Sequence, residues 1–462
     1  MGFIYGLAVV LAIFEIIIIQ CEGGPRRMQE LPLLPDELIE LIISKTDYKT
    51  IKQAVRWGIT PPTDSVMSRI LQSHIILIKP DQFDGGIHEY CRRGDLILNF
   101  GVYSELIAFF ERFGGQVKKI EFDDRRDEHN VRDNEMRTNI INHIKNCAKN
   151  LEELQIRTDD YERFWKAISD GENGIIFPEV KKFRFHGGSE QENFKLNVIF
   201  PKLESFTLFG GVVDKDCLEN VTGLKQLMLI CKSIEEDQFD DIFKNNKKMR
   251  NISLFALEKA ETMHSIAEHL KELKTLEFIF PAKNFLLRTN NNTVYELSSV
   301  TTYNILMSKE DEIFEVANFS FDMPNLERLT LCKGYRYDDR IVNFINHFKK
   351  LETVELFVEG YNAVKYIEKL ERIKEFTTNI EEDDFDSLRN MFKHFDEKSK
   401  LQTLKLVYYD ESLRESYEAE MKKIIIPPTW TLLHGEEIGT NVKYFLFRRE
   451  PGTMPIKGVA IK

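Results

Sequence analysis

The sequence predicts an α/β fold, an irregular solenoid with a parallel sheet on its concave face and helices on its convex face. Three observations predict it. An apolar triplet spaced i, i+3, i+5 returns at intervals of about 21 to 34 residues. The stretches between triplets have room for one helix and carry apolar residues at helical spacing. Proline stands two residues ahead of several triplets, where it ends the preceding segment and favours an extended approach.

The triplets run Val117-Ile120-Phe122, Leu151-Leu154-Ile156, Val180-Phe183-Phe185, Leu203-Phe206-Leu208 and Leu224-Leu227-Leu229. They continue as Met249-Ile252-Leu254, Leu273-Leu276-Phe278, Leu326-Leu329-Leu331, Leu351-Val354-Leu356 and Leu401-Leu404-Leu406. Two weaker copies, Leu297-Val300-Thr302 and Ile373-Phe376-Thr378, fill the gaps. The last two positions of each copy lie two apart and so share a strand face. One short strand cannot bury that face alone, but stacked neighbours can. Each buried Leu, Ile or Phe contributes roughly 1.5–3 kcal/mol. Helices are expected around Phe239, Ile242 and Phe243, around Ile266 and Leu270, around Ile341, Phe344 and Phe348, and around Ala363, Tyr366 and Leu370. The prolines are Pro178, Pro201 and Pro324. Such a strand pattern resembles that of leucine-rich repeats. The Asn or Cys usual three residues after the triplet is replaced by Asp159, Gly211 and Gly334.

Composition narrows the function. The chain carries 63 basic and 75 acidic residues, a net −12, with no basic stripe, so no nucleic-acid partner is expected. The acidic run 381–384 reads as a solvated helix start. Cys21, Cys91, Cys147, Cys217, Cys231 and Cys332 include no close pair, a usage that fits a reducing compartment. Asn-x-Ser/Thr sites fall at Asn220, Asn251, Asn291 and Asn318, of which Asn251 lies in an expected strand, a poor place for a glycan. His264 and Glu268-His269 have the wrong spacing for a zinc helix: five residues turn the rings about 140° apart. The acid-rich run from Asp123 to Glu135 lacks the central Gly of a calcium loop and reads as an exposed connection. No P-loop, dinucleotide Gly pattern, Gly-x-Ser-x-Gly or Cys-His pairing occurs. The chain is therefore expected to be no enzyme, with no catalytic residue, no metal and no cofactor.

Phe3 to Ile19 is apolar apart from Gly6 and Glu15, and Cys21, Glu22, Gly23 and Gly24 follow. This stretch resembles a signal peptide or a short anchor. Arg26-Arg27 would hold that flank on the cytoplasmic side of an anchor. A third reading starts the working protein at Met28. Next, Pro35, Asp36 and Glu37 fit the first turn of a helix, with Leu34, Leu38, Leu41 and Ile42 on one side. Asp47 suits the cap of a second helix bearing Ile51, Ala54 and Val55. Two such helices need a neighbouring domain or a partner to cover their apolar stripes.

The segment Leu34-Pro35-Asp36-Glu37-Leu38, with Ile42, Ile51 and Trp57, resembles an F-box. Thr46 stands where that family usually has Leu, and Val55 and Trp57 fall earlier than its usual ending. An F-box followed by leucine-rich repeats resembles the substrate receptors of cullin-RING ubiquitin ligases, of the insect type. The resemblance implies that Leu34, Pro35, Leu38, Ile42, Ile51 and Trp57 dock on a Skp-type adaptor and its cullin complex while the repeats hold a protein substrate. It implies a cytoplasmic or nuclear protein in the ubiquitin-conjugation pathway. A helical cap over the first repeat would use the same residues. The competing reading is a secreted or membrane-tethered leucine-rich repeat binding protein using residues 1–23 as a signal; membrane contact requires that residues 3–19 be retained.

The expected organisation is a signal-like or anchor-like segment over 1–27, an F-box-like helical module over 28–80, the repeat array over 100–425 and a cap over 426–462 around Trp430 and Tyr444-Phe447. The position after each triplet returns to the outer side of the strand. Its occupants are Phe209, Ile230, Phe255, Ile279, Tyr303, Cys332, Phe357 and Val407. A continuous apolar stripe marks a protein-binding site. The alternative is that these side chains tuck beneath the following turn.

Overall fold

The computed structural model describes residues 75–78, 103–124, 134–147, 149–158, 177–187, 195–210, 212–213, 217–231, 233–234, 236–281, 294–306, 321–332, 339–357, 366–367, 369–370, 372–380, 385–386, 388–389, 400–408, 414–436 and 443–449. All fall within one of the chain's two units, Thr46–Lys462. They form a mixed α/β structure dominated by one large sheet of 15 strands, mostly parallel. In chain order its strands are β1 (Ile76–Ile78), β2 (Lys119–Asp124), β3 (Glu153–Thr158), β4 (Lys182–His186) and β5 (Ser205–Phe209). A short β6 (Val212–Val213) pairs with β8 (Ser233–Ile234), and β7 (Gln226–Ile230) lies between them in sequence. The large sheet continues with β7, β9 (Asn251–Phe255) and β10 (Thr275–Ile279). A second short pair, β11 (Tyr295–Glu296) and β13 (Phe321–Asp322), flanks β12 (Thr302–Leu306). Then come β14 (Arg328–Cys332), β15 (Thr353–Phe357), β16 (Glu375–Asn379), β17 (Thr403–Tyr408), β18 (Trp430–Glu436) and β19 (Lys443–Arg449). Helices are α1 (Tyr103–Phe113), α2 (Asn134–Cys147), α3 (Leu196–Ile199), α4 (Phe239–Asn245), α5 (Ala260–His269), α6 (Asp339–His347) and α7 (Arg414–Met421).

Each strand of the large sheet from β1 to β17 lies beside the next one in sequence, parallel and in register: Leu227 faces Ile252, Ile252 faces Leu276, and Leu329 faces Val354. Burial alternates along the strands, as in β7, β12 and β15, so the second and third triplet positions point to one face and are nearly inaccessible. The core sits on that face. Phe183 of β4 stacks on Phe206 of β5 and on Phe200, the residue after α3, at 4.5 Å between ring centres for the latter. Phe239, Ile242 and Phe243 of α4, Ile341 and Phe344 of α6, and Phe348 just after it are buried as their helical spacing predicts.

Two backbone devices hold successive units in step. The residue after the first triplet position offers its carbonyl to two N–H groups of the following unit. Lys118 accepts from Glu152 and Glu153, Arg250 from Lys274 and Thr275, and Lys374 from Gln402 and Thr403, in eleven successive steps among the described residues. The second device is a turn that closes just before the strand. Val180 N–H donates to Phe177, Leu203 to Phe200, Leu273 to Leu270, Leu326 to Met323 and Ile373 to Leu370. A buried side chain therefore stands three residues ahead of the triplet at each of these turns. Pro178, Pro201 and Pro324 sit second in such turns, where φ near −65° suits them. The approach to the strand is thus a tight turn and not the extended segment expected from those prolines.

At one such turn the amide of Asn246 substitutes for the local bond. Its Oδ1 accepts from Leu224 N–H at 2.8 Å, and its Nδ2 donates to the carbonyls of Val221 (2.9 Å) and Ile242 (2.8 Å). Asn246 is buried, so the three bonds satisfy groups that would otherwise be stranded.

The sheet starts earlier than the triplets suggest. Ile76 and Ile78 of β1 face Ile120 and Phe122, so the first rung lies inside the segment assigned to the 28–80 module. At the other end the parallel order stops. β19 pairs antiparallel with β17, and β18 pairs antiparallel with β19. This hairpin covers the edge of β17, and Tyr444 lies over the Cα of Gly435, where an added Cβ would collide with its ring. Among the described residues no helix is long and apolar enough to cross a membrane.

Candidate functional site

The face of the sheet opposite the core presents the alternate side chains of each strand. At the carboxyl end of the strands these form a row: Phe209, Ile230, Phe255, Ile279, Leu306, Cys332 and Phe357, on consecutive strands of the large sheet. All are half-buried except Ile279, at 9 % exposure. At about 4.8 Å per strand the row is roughly 29 Å long. His186 prolongs it at one side, stacked on Phe209 at 4.3 Å between ring centres, and Asn379 ends it at the other.

Two expected members of this row are not exposed on it. Tyr303 is wholly buried on the core face, opposite Leu276, against Phe278 and Phe321. The copy read as Leu297-Val300-Thr302 is in fact Val300-Tyr303-Ile305, and Leu306 takes the outer position. The slip has a physical cause. Leu297 is the buried turn residue three ahead of Val300, so the sequence offers the same spacing one step early. Val407 does lie on the outer face but is only 2 % exposed. Tyr444 of the hairpin faces it across the antiparallel pair, on the side where Lys405 Nζ sits 4.5 Å from the Tyr444 ring centre.

Phe280 was not foreseen. It follows β10 with φ +49° and is 45 % exposed, its ring edge-on to Phe255 at 5.8 Å. Its N–H donates to the carbonyl of Leu306 at 2.7 Å, which fixes the left-handed turn. Ala256 adopts the same conformation one strand earlier, at φ +51°. Left-handed backbone costs a non-glycine residue roughly 1–2 kcal/mol. Phe280 is therefore held outward at an energetic cost, and no local sequence pattern announces it.

The row one step further in, two residues before the apolar one, is polar apart from Met228. From β5 to β16 it reads Thr207, Met228, Ser253, Glu277, Asn304, Thr330, Glu355 and Thr377, and its only charges are two carboxylates. Thr330 Oγ1 donates to Glu355 at 3.4 Å. Cys332 follows two residues beyond Thr330 on β14: burial pushes its thiol up to about 11, and the negative charges of Glu355 and Glu277 add to the shift. Among the described residues neither Glu277 nor Glu355 forms an ion pair.

Other polar clusters have structural duties. Glu236 caps α5 from the preceding unit, accepting from Glu258 N–H at 2.6 Å and from Lys259 N–H, and from Thr262 Oγ1 at 2.7 Å. The shallow cleft there, between Asp237, Asp240 and Lys259, is the seam of this cap. Ser265 and His269 both bond Asp240, at 2.8 and 3.0 Å, and these bonds hold its carboxyl below the usual range. His264 turns instead to Glu268 at 3.0 Å, so the two rings serve different neighbours. The acid-rich run 123–135 is not one exposed loop: Asp123 is a buried member of β2, and its far end belongs to α2. Cys147, Cys231 and Cys332 are free thiols. Leu34, Pro35, Leu38, Ile42, Ile51 and Trp57 lie outside the described residues, as does the apolar run 3–19. No protein-family model matches the chain, and no curated protein matches it.

Proposed function

We propose that this chain is a non-enzymatic interaction protein, the substrate-recognition subunit of a Skp-cullin-F-box type ubiquitin ligase. In this reading the large sheet is the inner, concave wall of a leucine-rich repeat solenoid. Its apolar row binds a protein substrate, and Leu34, Pro35, Leu38, Ile42, Ile51 and Trp57 bind the adaptor. The observation that carries the reading is the row from Phe209 to Phe357. It is apolar on consecutive strands, reachable by solvent, and rimmed by polar groups, the composition of a protein-binding patch.

The test is a binding assay between the full-length chain and a purified Skp-type adaptor. Retention that is lost in Leu34→Ala/Leu38→Ala supports the reading. No retention of the intact chain removes the ligase role. The second reading, a secreted or tethered binding protein, draws on the apolar run Phe3–Ile19 and the small residues after it. Sequencing the amino terminus of the natural protein separates the two: a cut near Cys21 favours secretion, and a start at Met28 favours the cytoplasmic receptor.

A further inference from the structure

The apolar row also carries information about the shape and charge of what it binds. We infer that it docks a single amphipathic helix of a protein partner, and that this helix carries two basic residues that seat on Glu277 and Glu355. The inference rests on the reading of this face as a protein-binding surface and adds the class of segment bound.

A sheet face offers side chains but no free backbone, because its N–H and C=O groups are already paired between strands. An extended peptide, which draws its affinity from main-chain bonds at a sheet edge, has nothing to hold here. A helix satisfies its own backbone and needs only an apolar stripe to meet another. The lengths agree: roughly 29 Å of row corresponds to a helix of about 20 residues. The spacings agree too, with one strand every ~4.8 Å against one helical turn every ~5.4 Å. Phe280 and Phe255 make an aromatic corner that projects at the margin of the row, and the strained turn fixes its position. Such rigid aromatic anchors carry much of the affinity in protein interfaces.

Charge sets the sign of the partner. Glu277 and Glu355 flank the apolar row without a cation in their own row between Arg184 and Lys405. Covering them with an apolar or acidic segment would strand two carboxylates, which is costly. A basic side chain at each converts that cost into attraction. The two glutamates stand three strands apart, roughly 14 Å, so their partners should lie about ten residues apart on the bound helix.

The test pans the full-length protein against a displayed library of random peptides of about 20 residues. The expected winners carry apolar residues at helical spacing with Lys or Arg about ten apart. A synthetic winner should bind about tenfold more weakly to Glu277→Lys/Glu355→Lys, with the thermal midpoint unchanged, and about tenfold more weakly to Phe280→Gly. If the charge reversal disturbs folding, Glu277→Gln/Glu355→Gln carries the same test. Winners that are neutral or acidic, yet lose binding with Phe255→Ala, overturn the basic-helix inference and leave the face as a protein site. Winners indifferent to all these substitutions bind elsewhere and overturn both. A dimer in sedimentation that Glu277→Lys abolishes would assign the face to a second copy and overturn the inference as well.

Discussion

The rungs β12 and β16 are the two places where the recurring triplet is faint, and they differ in how plainly they can be read. In β16 the core positions are Phe376 and Thr378, and the spacing alone locates them. In β12 they are Tyr303 and Ile305, and the spacing alone misplaces them by three residues. Both rungs have a buried turn residue three ahead of the triplet, Leu370 in one and Leu297 in the other. A period of three therefore matches at two starting points. Only the final pair, two residues apart and both turned to the core, is unique to a strand. Thr302 fails as a core residue where Ile305 succeeds, so the strand period is the better guide when the two periods conflict.

The two rungs also share a liability. Tyr303 hides its hydroxyl, and Thr378 its Oγ1, without a hydrogen-bond partner among the described residues. Burial accordingly drives the Tyr303 phenol well above its ordinary range. Substitutions here sharpen the contrast between the two faces. Tyr303→Ala should cost about 4 kcal/mol in chemical denaturation, the penalty for emptying a large core site. Phe255→Ala, on the outer face, should cost less than about 1.5 kcal/mol in the same experiment, since part of that ring already faces water. Equal losses would mean that the two faces have been interchanged. Asn246→Ala comes next, at about 2–3 kcal/mol, because it strands the Val221 carbonyl and the Leu224 N–H together. Removing a buried hydroxyl should go the other way. Tyr303→Phe and Thr378→Val should each raise the unfolding midpoint, by a gain of about 1 kcal/mol, and a fall in either would reveal a hidden partner. The smallest effect is expected at Ala256, whose left-handed φ suits glycine. Ala256→Gly should gain at most about 1 kcal/mol, less than the relief of strain because glycine is freer when unfolded.

The parallel order of the sheet was legible because its cause is local: two apolar residues on one side of each strand, repeated. The helices α4, α5 and α6 were legible for the same reason, as Phe239, Ile242 and Phe243 illustrate, whereas α1, α2, α3 and α7 were not read from the spacing. β1 escaped because its rung is only three residues long. The outer row was legible in Phe209, Ile230, Phe255, Ile279 and Phe357, which alternation alone places. Phe280 was not, since its exposure depends on a left-handed turn fixed by the carbonyl of the next unit. The burial of Val407 was not legible for a comparable reason: what covers it is Tyr444, brought in by an antiparallel hairpin from far along the chain. Contacts between distant segments leave no mark in a local window.

The doubly accepting carbonyls have a consequence for how such a chain can change over generations. These particular bonds between one unit and the next join main-chain atoms, so they are indifferent to which side chains stand on either side. A whole unit could be duplicated or excised between, say, Lys225 and Lys274 and the cut ends would still mate. Lengthening the stretch from one joint to the next alters only what hangs off the ladder. Drift in sequence can then erase resemblance to other proteins while the scaffold persists.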